Sequence, residues 1–172
     1  LTTKTYAEVW DLDVFFKGGS SSPELREHLN ALTVKLDSFE QTLSTFDVPK
    51  NESDADKIAS IIEETKQVAE NLSQAGAVVG CYLAQDTTDK QANLLQGEIG
   101  SLGARFSSSM LVVQQQLSRT EDSVWTSLMQ DNRLKKFSFV LVRTAYTISM
   151  VGESCAKNFA KFAGSSCRSP ST

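Results

Sequence analysis

Apolar residues recur at alternating intervals of four and three along most of the chain, the spacing of a helix with one buried face. The first seam runs through Leu25, Leu29, Leu32, Leu36, Phe39, Leu43 and Phe46. Ser22 stands before it as N-cap, Pro23 suits the first helical position, and Glu24 places a negative charge at the positive end of the dipole. After the breaking segment Val48-Pro49-Lys50-Asn51, a second start is expected at Ser53, with Asp54 and Asp56 in the first turn. Ile58, Ile61, Ile62, Val68, Leu72, Val79 and Leu83 mark a helix of about thirty residues, long against the usual dozen.

The Asp86-Thr87-Thr88-Asp89 stretch is a strong break, followed by a third seam through Ala92, Leu95, Ile99, Leu102, Phe106, Met110, Val113 and Leu117. Three such seams can bury one another. Glycines complicate both long helices, because each costs about 1 kcal/mol relative to alanine in a helix interior. Gly76 and Gly80 fit either close helix packing or a kink or earlier stop. Gly97, Gly100 and Gly103 fit either close backbone approach or a weaker helix.

Thr120 with Glu121 and Asp122 opens a short fourth helix with Val124, Trp125, Leu128 and Met129 on its apolar face, broken at Asp131-Asn132. Leu134, Phe137, Val140, Leu141, Tyr146 and Ile148 suggest a last helix. Residues 137–142 are also compatible with a strand, but the helical surroundings favour helix. The expected fold class is all-α, long antiparallel helices in a bundle without significant sheet. It divides into an aromatic-rich lead and hinge (1–22), a bundle (23–150) and a weakly structured or divergent tail (151–172), in which only Phe159 and Phe162 hint at an amphipathic turn. In the lead, Tyr6, Trp10, Phe15 and Phe16 are expected to pack on the bundle, with Trp10 and Phe15 filling a groove. Gly18-Gly19-Ser20-Ser21-Ser22 forms the hinge.

With 172 residues, 40% of them hydrophobic, the chain can bury a real core. A net charge of −4 and a pI near 5.1 argue against a nucleic-acid partner. The nearest approach to a basic patch, Arg133, Lys135 and Lys136, reads as a solvated helix face. No apolar run reaches the roughly 18 residues of a membrane span, and no secretory leader is visible. Three cysteines, Cys81, Cys155 and Cys167, make no even disulfide set and no C-x-x-C, which points to reduced thiols in a cytoplasmic protein.

Candidate chemistry is sparse. The chain has one histidine, His28, so it cannot assemble a multi-imidazole metal site. Glu24-Leu25-Arg26-Glu27-His28 has the wrong spacing for a di-metal bundle motif and no second copy. Glu63 with Glu64, and Glu121 with Asp122, are neighbours that diverge by about 100° on a helix and do not converge on a substrate. No Gly-x-Ser-x-Gly elbow accompanies the serines, and Cys81 beside Tyr82 reads as a buried structural thiol. No catalytic, cofactor-binding or metal-ligating residue is therefore expected in this chain.

Tyr6-Ala7-Glu8-Val9-Trp10-Asp11-Leu12 resembles the Trp-Asp-Leu opening of the oligoendopeptidase F family, and Tyr82-Leu83-Ala84-Gln85-Asp86-Thr87-Thr88-Asp89 is similar to that family's turn between two long N-terminal helices. The likeness covers approximately residues 6–143. It implies the N-terminal part of a zinc metallo-oligopeptidase, whose H-E-x-x-H helix and further glutamate lie in a C-terminal catalytic domain. Zinc is then expected in that domain and none in this chain, which alone would be inactive. The implied role is the wall or lid of a chamber for oligopeptides, with the catalytic domain as partner and an orphan apolar face capable of self-association. The Ser/Cys-rich end departs from the family and suggests truncation, a frameshifted end or an unusual homologue. The rival reading is a free-standing helical interaction or dimerisation module.

Overall fold

Side-chain caps fix where the helices begin. Ser22 Oγ accepts the Leu25 N–H at 3.4 Å, Asp89 accepts the Gln91 and Ala92 N–H groups at 2.9 and 3.0 Å, and Asp131 accepts the Arg133 N–H at 2.8 Å. Each satisfies backbone donors that the first helical turn leaves without an intrahelical partner. The computed structural model describes residues 11–137 and Leu141. It is all-α, with no strand among the described residues: α1 Pro23–Ser44, α2 Ala55–Gln85, α3 Lys90–Ser118, α4 Asp122–Gln130 and α5 Asn132–Lys135.

The second start differs from the expected one. Asn51, assigned by sequence to the break, is the cap: its side chain accepts the Ser53 N–H at 3.0 Å while Asp54 accepts the Asn51 N–H at 3.4 Å. This reciprocal capping box holds a 3-10 turn over Glu52–Asp54, and α2 begins at Ala55 rather than at Ser53. From there α2 runs unbroken for 31 residues through Gly76 and Gly80.

The chain divides into two compact units, each drawing on all three long helices. Among the described residues the first comprises 11–37 and 67–106. Its core takes Leu25, Leu29, Leu32 and Leu36 from α1, Val68, Ala75, Val79 and Tyr82 from α2, and Ala92, Leu95, Ile99 and Leu102 from α3. A Cβ at Gly76 would lie 3.9 Å from Ile99 and one at Gly103 would lie 3.8 Å from Leu72. As α2 steps back four positions α3 steps forward four, so the two helices are antiparallel here. Arg26–Glu98 and Asp37–Arg105 ion pairs, both 2.6 Å, advance together along α1 and α3, which are therefore parallel. This is the up-down-up path that a four-residue turn between α2 and α3 requires.

The second unit comprises 38–66, 107–137 and Leu141. Phe39 and Leu43 of α1, Ala55, Ile58 and Ile61 of α2, and Val113 and Leu117 of α3 are buried in it, together with Leu128, Met129, Leu134 and Leu141. The hydroxyl of Thr65 reaches the Met110 sulfur at 3.7 Å, and α4 packs on the Glu52–Asp54 turn and on α5. The fourth helix starts at Asp122 with Glu121 as N-cap, one position inside the expected start, and no side chain caps it. Leu141 is helical and its N–H reaches the Phe137 carbonyl at 2.9 Å, in keeping with helix rather than strand there.

The glycines neither stop α2 or α3 nor mark an unusually close approach. Contacts of 3.8–3.9 Å at Gly76 and Gly103 are ordinary van der Waals distances, and Gly80, Gly97 and Gly100 face open space. A methyl group at Gly97 or Gly100 would clash with nothing, and alanine restricts the unfolded chain more than glycine does. Gly97→Ala and Gly100→Ala are each expected to stabilise the fold by about 0.5–1 kcal/mol. Urea unfolding measures this, and a loss of stability in either variant would show that the backbone there is packed against something.

Candidate functional site

The segment leading into α1 and the turn between α2 and α3 both belong to the first unit. Asp11 accepts the Asp13 N–H at 3.1 Å and so starts a 3-10 turn over Leu12–Val14, and Asp13 in turn accepts the Gly18 N–H at 3.3 Å. Gly18 and Gly19 have φ of 94° and 63°, the left-handed region in which side chains are strained. They reverse the chain into a second 3-10 turn, Gly19–Ser21, which delivers Ser22 to its capping position.

In the α2–α3 turn, Asp86 accepts the Thr88 N–H at 2.8 Å and the Thr88 hydroxyl at 2.7 Å, closing an Asx turn just past the end of α2. Asp89 then caps α3, and the Asn93 amide donates to the Asp89 carbonyl at 2.7 Å. The Asp-Thr-Thr-Asp pattern thus has a local physical reason: the two carboxylates terminate one helix and initiate the next.

Electrostatics follow from these bonds. The Ala92 N–H, the Ser20 hydroxyl and the Gln91 N–H hold the Asp89 carboxyl below the usual carboxylate range. Burial, the negative charge of Asp13 and the neighbouring Cys81 push the Tyr82 phenol up. A depressed carboxyl stabilises the fold above its unfolded pKa near 3.8 and loses that contribution as pH falls through the folded value. Asp89→Ala is therefore expected to melt below the parent chain at neutral pH, and the gap in Tm should narrow as pH drops below 3.8. A gap unchanged down to acid pH would mean that the carboxylate charge contributes nothing.

His28 stands on α1 in the same unit. Its Nε2–H donates to the Asn71 carbonyl at 3.4 Å, and its ring lies 6.0 Å from that of Phe16 at a tilt of 53°. Among the described residues of the lead, Leu12 is buried and Phe16 is half-buried beside His28. Phe15 is a correction: it is 61% exposed and fills no groove, because the turn over Leu12–Val14 that buries Leu12 directs its neighbours outward. Tyr6 and Trp10 lie outside the described residues, as do Cys155, Cys167 and the expected tail.

The remaining candidates stay apart. Glu63 faces Lys66 at 3.9 Å and Glu64 accepts the Ser60 hydroxyl at 3.4 Å, so the adjacent pair is split between two neighbours. Glu121 and Asp122 are exposed at the start of α4. Arg133 does not simply face solvent: it bonds Asp131, with Nε at 2.9 Å, and reaches across to Asp56, which ties α5 to the start of α2. Those bonds lower Asp131 to about 2 and raise Arg133 further above its ordinary value. Lys135 is exposed, and the Lys136 ammonium lies 4.7 Å from the Phe137 ring centroid.

A resident zinc ion does not fit these residues. Tetrahedral zinc wants several imidazole, thiolate or carboxylate ligands converging within about 2.3 Å of the metal. The single imidazole here is turned to a backbone carbonyl, and among the described residues no three His, Cys, Asp or Glu side chains gather as a metal cluster. No described helix is long and apolar enough to cross a membrane. Sequence reasoning missed Tyr82 as a core residue, although it was legible from Val68, Leu72, Ala75 and Val79, whose spacing of four and three leads to 82 rather than 83. No family model, curated protein or solved structure matches the chain.

Proposed function

We propose that this chain is the N-terminal helical part of an oligoendopeptidase F-like zinc peptidase and forms the wall or lid of its oligopeptide chamber. The observation that supports this reading is the pair of long helices, α2 and α3, joined by the Asp86-Thr87-Thr88-Asp89 turn of the second resembling stretch, in which Asp86 closes a turn past α2 and Asp89 caps α3.

In this reading the chain binds no zinc itself, and its partner is a catalytic domain of the same protein. The role of these helices is to enclose: a walled chamber admits flexible peptides and excludes folded ones. The isolated 172-residue chain should therefore leave a quenched oligopeptide uncleaved, with or without added zinc. Chelator-sensitive hydrolysis that co-purifies with the chain and survives preparation blanks would contradict the proposal.

The alternative reading is a self-contained helical module that binds a partner helix or its own copy. It requires no catalytic domain. The two readings separate on what the gene encodes beyond this chain, since both allow self-association.

A further inference from the structure

We propose that the solvent-facing side of α3 is a self-association surface on which a second copy of this chain docks antiparallel, setting Leu94 of each copy against Leu111 of the other. The surface of α3, an unbroken helix from Lys90 to Ser118, is unlike that of the other two long helices. Glu24, Glu27 and Lys35 stand exposed on α1, and Lys57, Glu63 and Glu70 on α2, as on an ordinary solvated face. On α3 no exposed residue from 93 to 115 is charged. The two charges that fall within that stretch, Glu98 and Arg105, turn to α1 and pair with Arg26 and Asp37.

Within this uncharged face Leu94, Gly97, Ser101, Ala104, Ser108 and Leu111 are exposed and recur at intervals of three and four, the seam spacing of packed helices. Leu94 and Leu111, 69% and 55% exposed, close its two ends, and the middle is small. The spacing is the same read from either end. A two-fold axis crossing α3 between Leu102 and Gly103 sets Leu94 on Leu111, Gly97 on Ser108 and Ser101 on Ala104. A symmetric dimer requires this property, because both copies present the same patch, and it selects a second copy as the occupant. No exposed charge on the face opposes its own image.

Gly97 and Gly100 add a separate reason. A Cβ at either would meet nothing within the chain, so in the monomer each glycine only weakens the helix, and alanine would relieve it. A second helix gives them a use, since small side chains let two axes approach to about 8 Å. Residues 94 to 111 rise about 25 Å along the helix. One helix pair of that length buries less than the roughly 800 Å² per partner of a stable complex, so the dimer is weak, with a dissociation constant in the micromolar range. The inference does not rest on the peptidase reading, because a chamber wall and a free-standing module both allow a second copy.

Sedimentation velocity of the full chain between about 1 and 500 μM tests it and should show a reversible monomer–dimer equilibrium. Ser101→Glu and Ala104→Lys each bring like charges together beside the axis and should weaken the dimer roughly 10- to 100-fold. Both positions are exposed, so helix content by circular dichroism should stay at the parent value. Carrying both substitutions in one chain should restore the dimer, because the glutamate of each copy then faces the lysine of the other. A parallel pair would oppose like charges twice and stay dissociated. A monomer at every concentration, a dimer indifferent to Ser101→Glu, or a double variant no tighter than the single ones overturns the proposal.

Discussion

Leu29→Ala is expected to lower the unfolding free energy by about 2–5 kcal/mol, whereas Val34→Ala on the same helix should change it by less than about 0.5 kcal/mol. Leu29 is fully buried in the first unit; Val34 is 67% exposed. Alanine is the better helix former in both cases, by a few tenths of a kcal/mol over leucine and by about 0.5 kcal/mol over valine, so propensity opposes a loss of stability in either variant. The difference isolates burial: deleting three buried carbons forfeits their transfer energy and leaves a cavity that a continuous helix is slow to close. Urea unfolding followed at 222 nm checks it through a shifted midpoint at unchanged slope. Similar small losses in both variants would mean that the seam from Leu25 to Leu43 does not face the core.

Leu128→Ala should cost a comparable amount, about 2–5 kcal/mol, and should also melt α4 locally. This helix has nine residues, and its first turn has no side-chain cap. Isolated helices of that length are marginal in water, so α4 exists through its packing. Leu128 and Met129 are its buried residues, 1% and 8% exposed, and Leu128 is the better enclosed. Hydrogen exchange should show the amides of residues 122–130 losing protection well before those of α1. Retained protection in α4 would place the anchoring of this helix elsewhere, in the Arg133–Asp131–Asp56 network at its C-terminal end.

The all-α class and the three long helices were legible because an apolar stripe repeated every three or four residues admits little else. Leu25, Leu29, Leu32, Leu36, Phe39 and Leu43 are all buried, as the seam requires. Register was harder to read where the stripe passes through small or amphipathic residues. Ala75 and Tyr82 continue the α2 stripe, while Leu83, chosen for its hydrophobicity, is only half-buried. Hydropathy ranks tyrosine below leucine, but position on the helix decides which is enclosed.

Caps were partly legible. Ser22 before Pro23 was evident, but Asn51 was hidden inside what read as a break, since its partner Asp54 replaces the usual Glu at the third position of a capping box. Long-range pairings left no local trace. Nothing in the spacing links Arg133 to Asp56 or Arg26 to Glu98, because these depend on how helices are set against one another. Phe15 misled for a related reason: an aromatic residue in a lead segment suggests packing, yet a 3-10 turn can bury one side chain and expose the next.

The central claim is that these helices belong to a peptidase whose catalytic machinery is encoded after them. Reading the gene's nucleotide sequence past codon 172 in all three frames tests this most directly. The account predicts an H-E-x-x-H motif a few hundred codons on, in the same or a shifted frame, followed by a further glutamate. A stop codon followed by unrelated sequence, with no such motif in any frame, would contradict it and leave the helical interaction module as the reading.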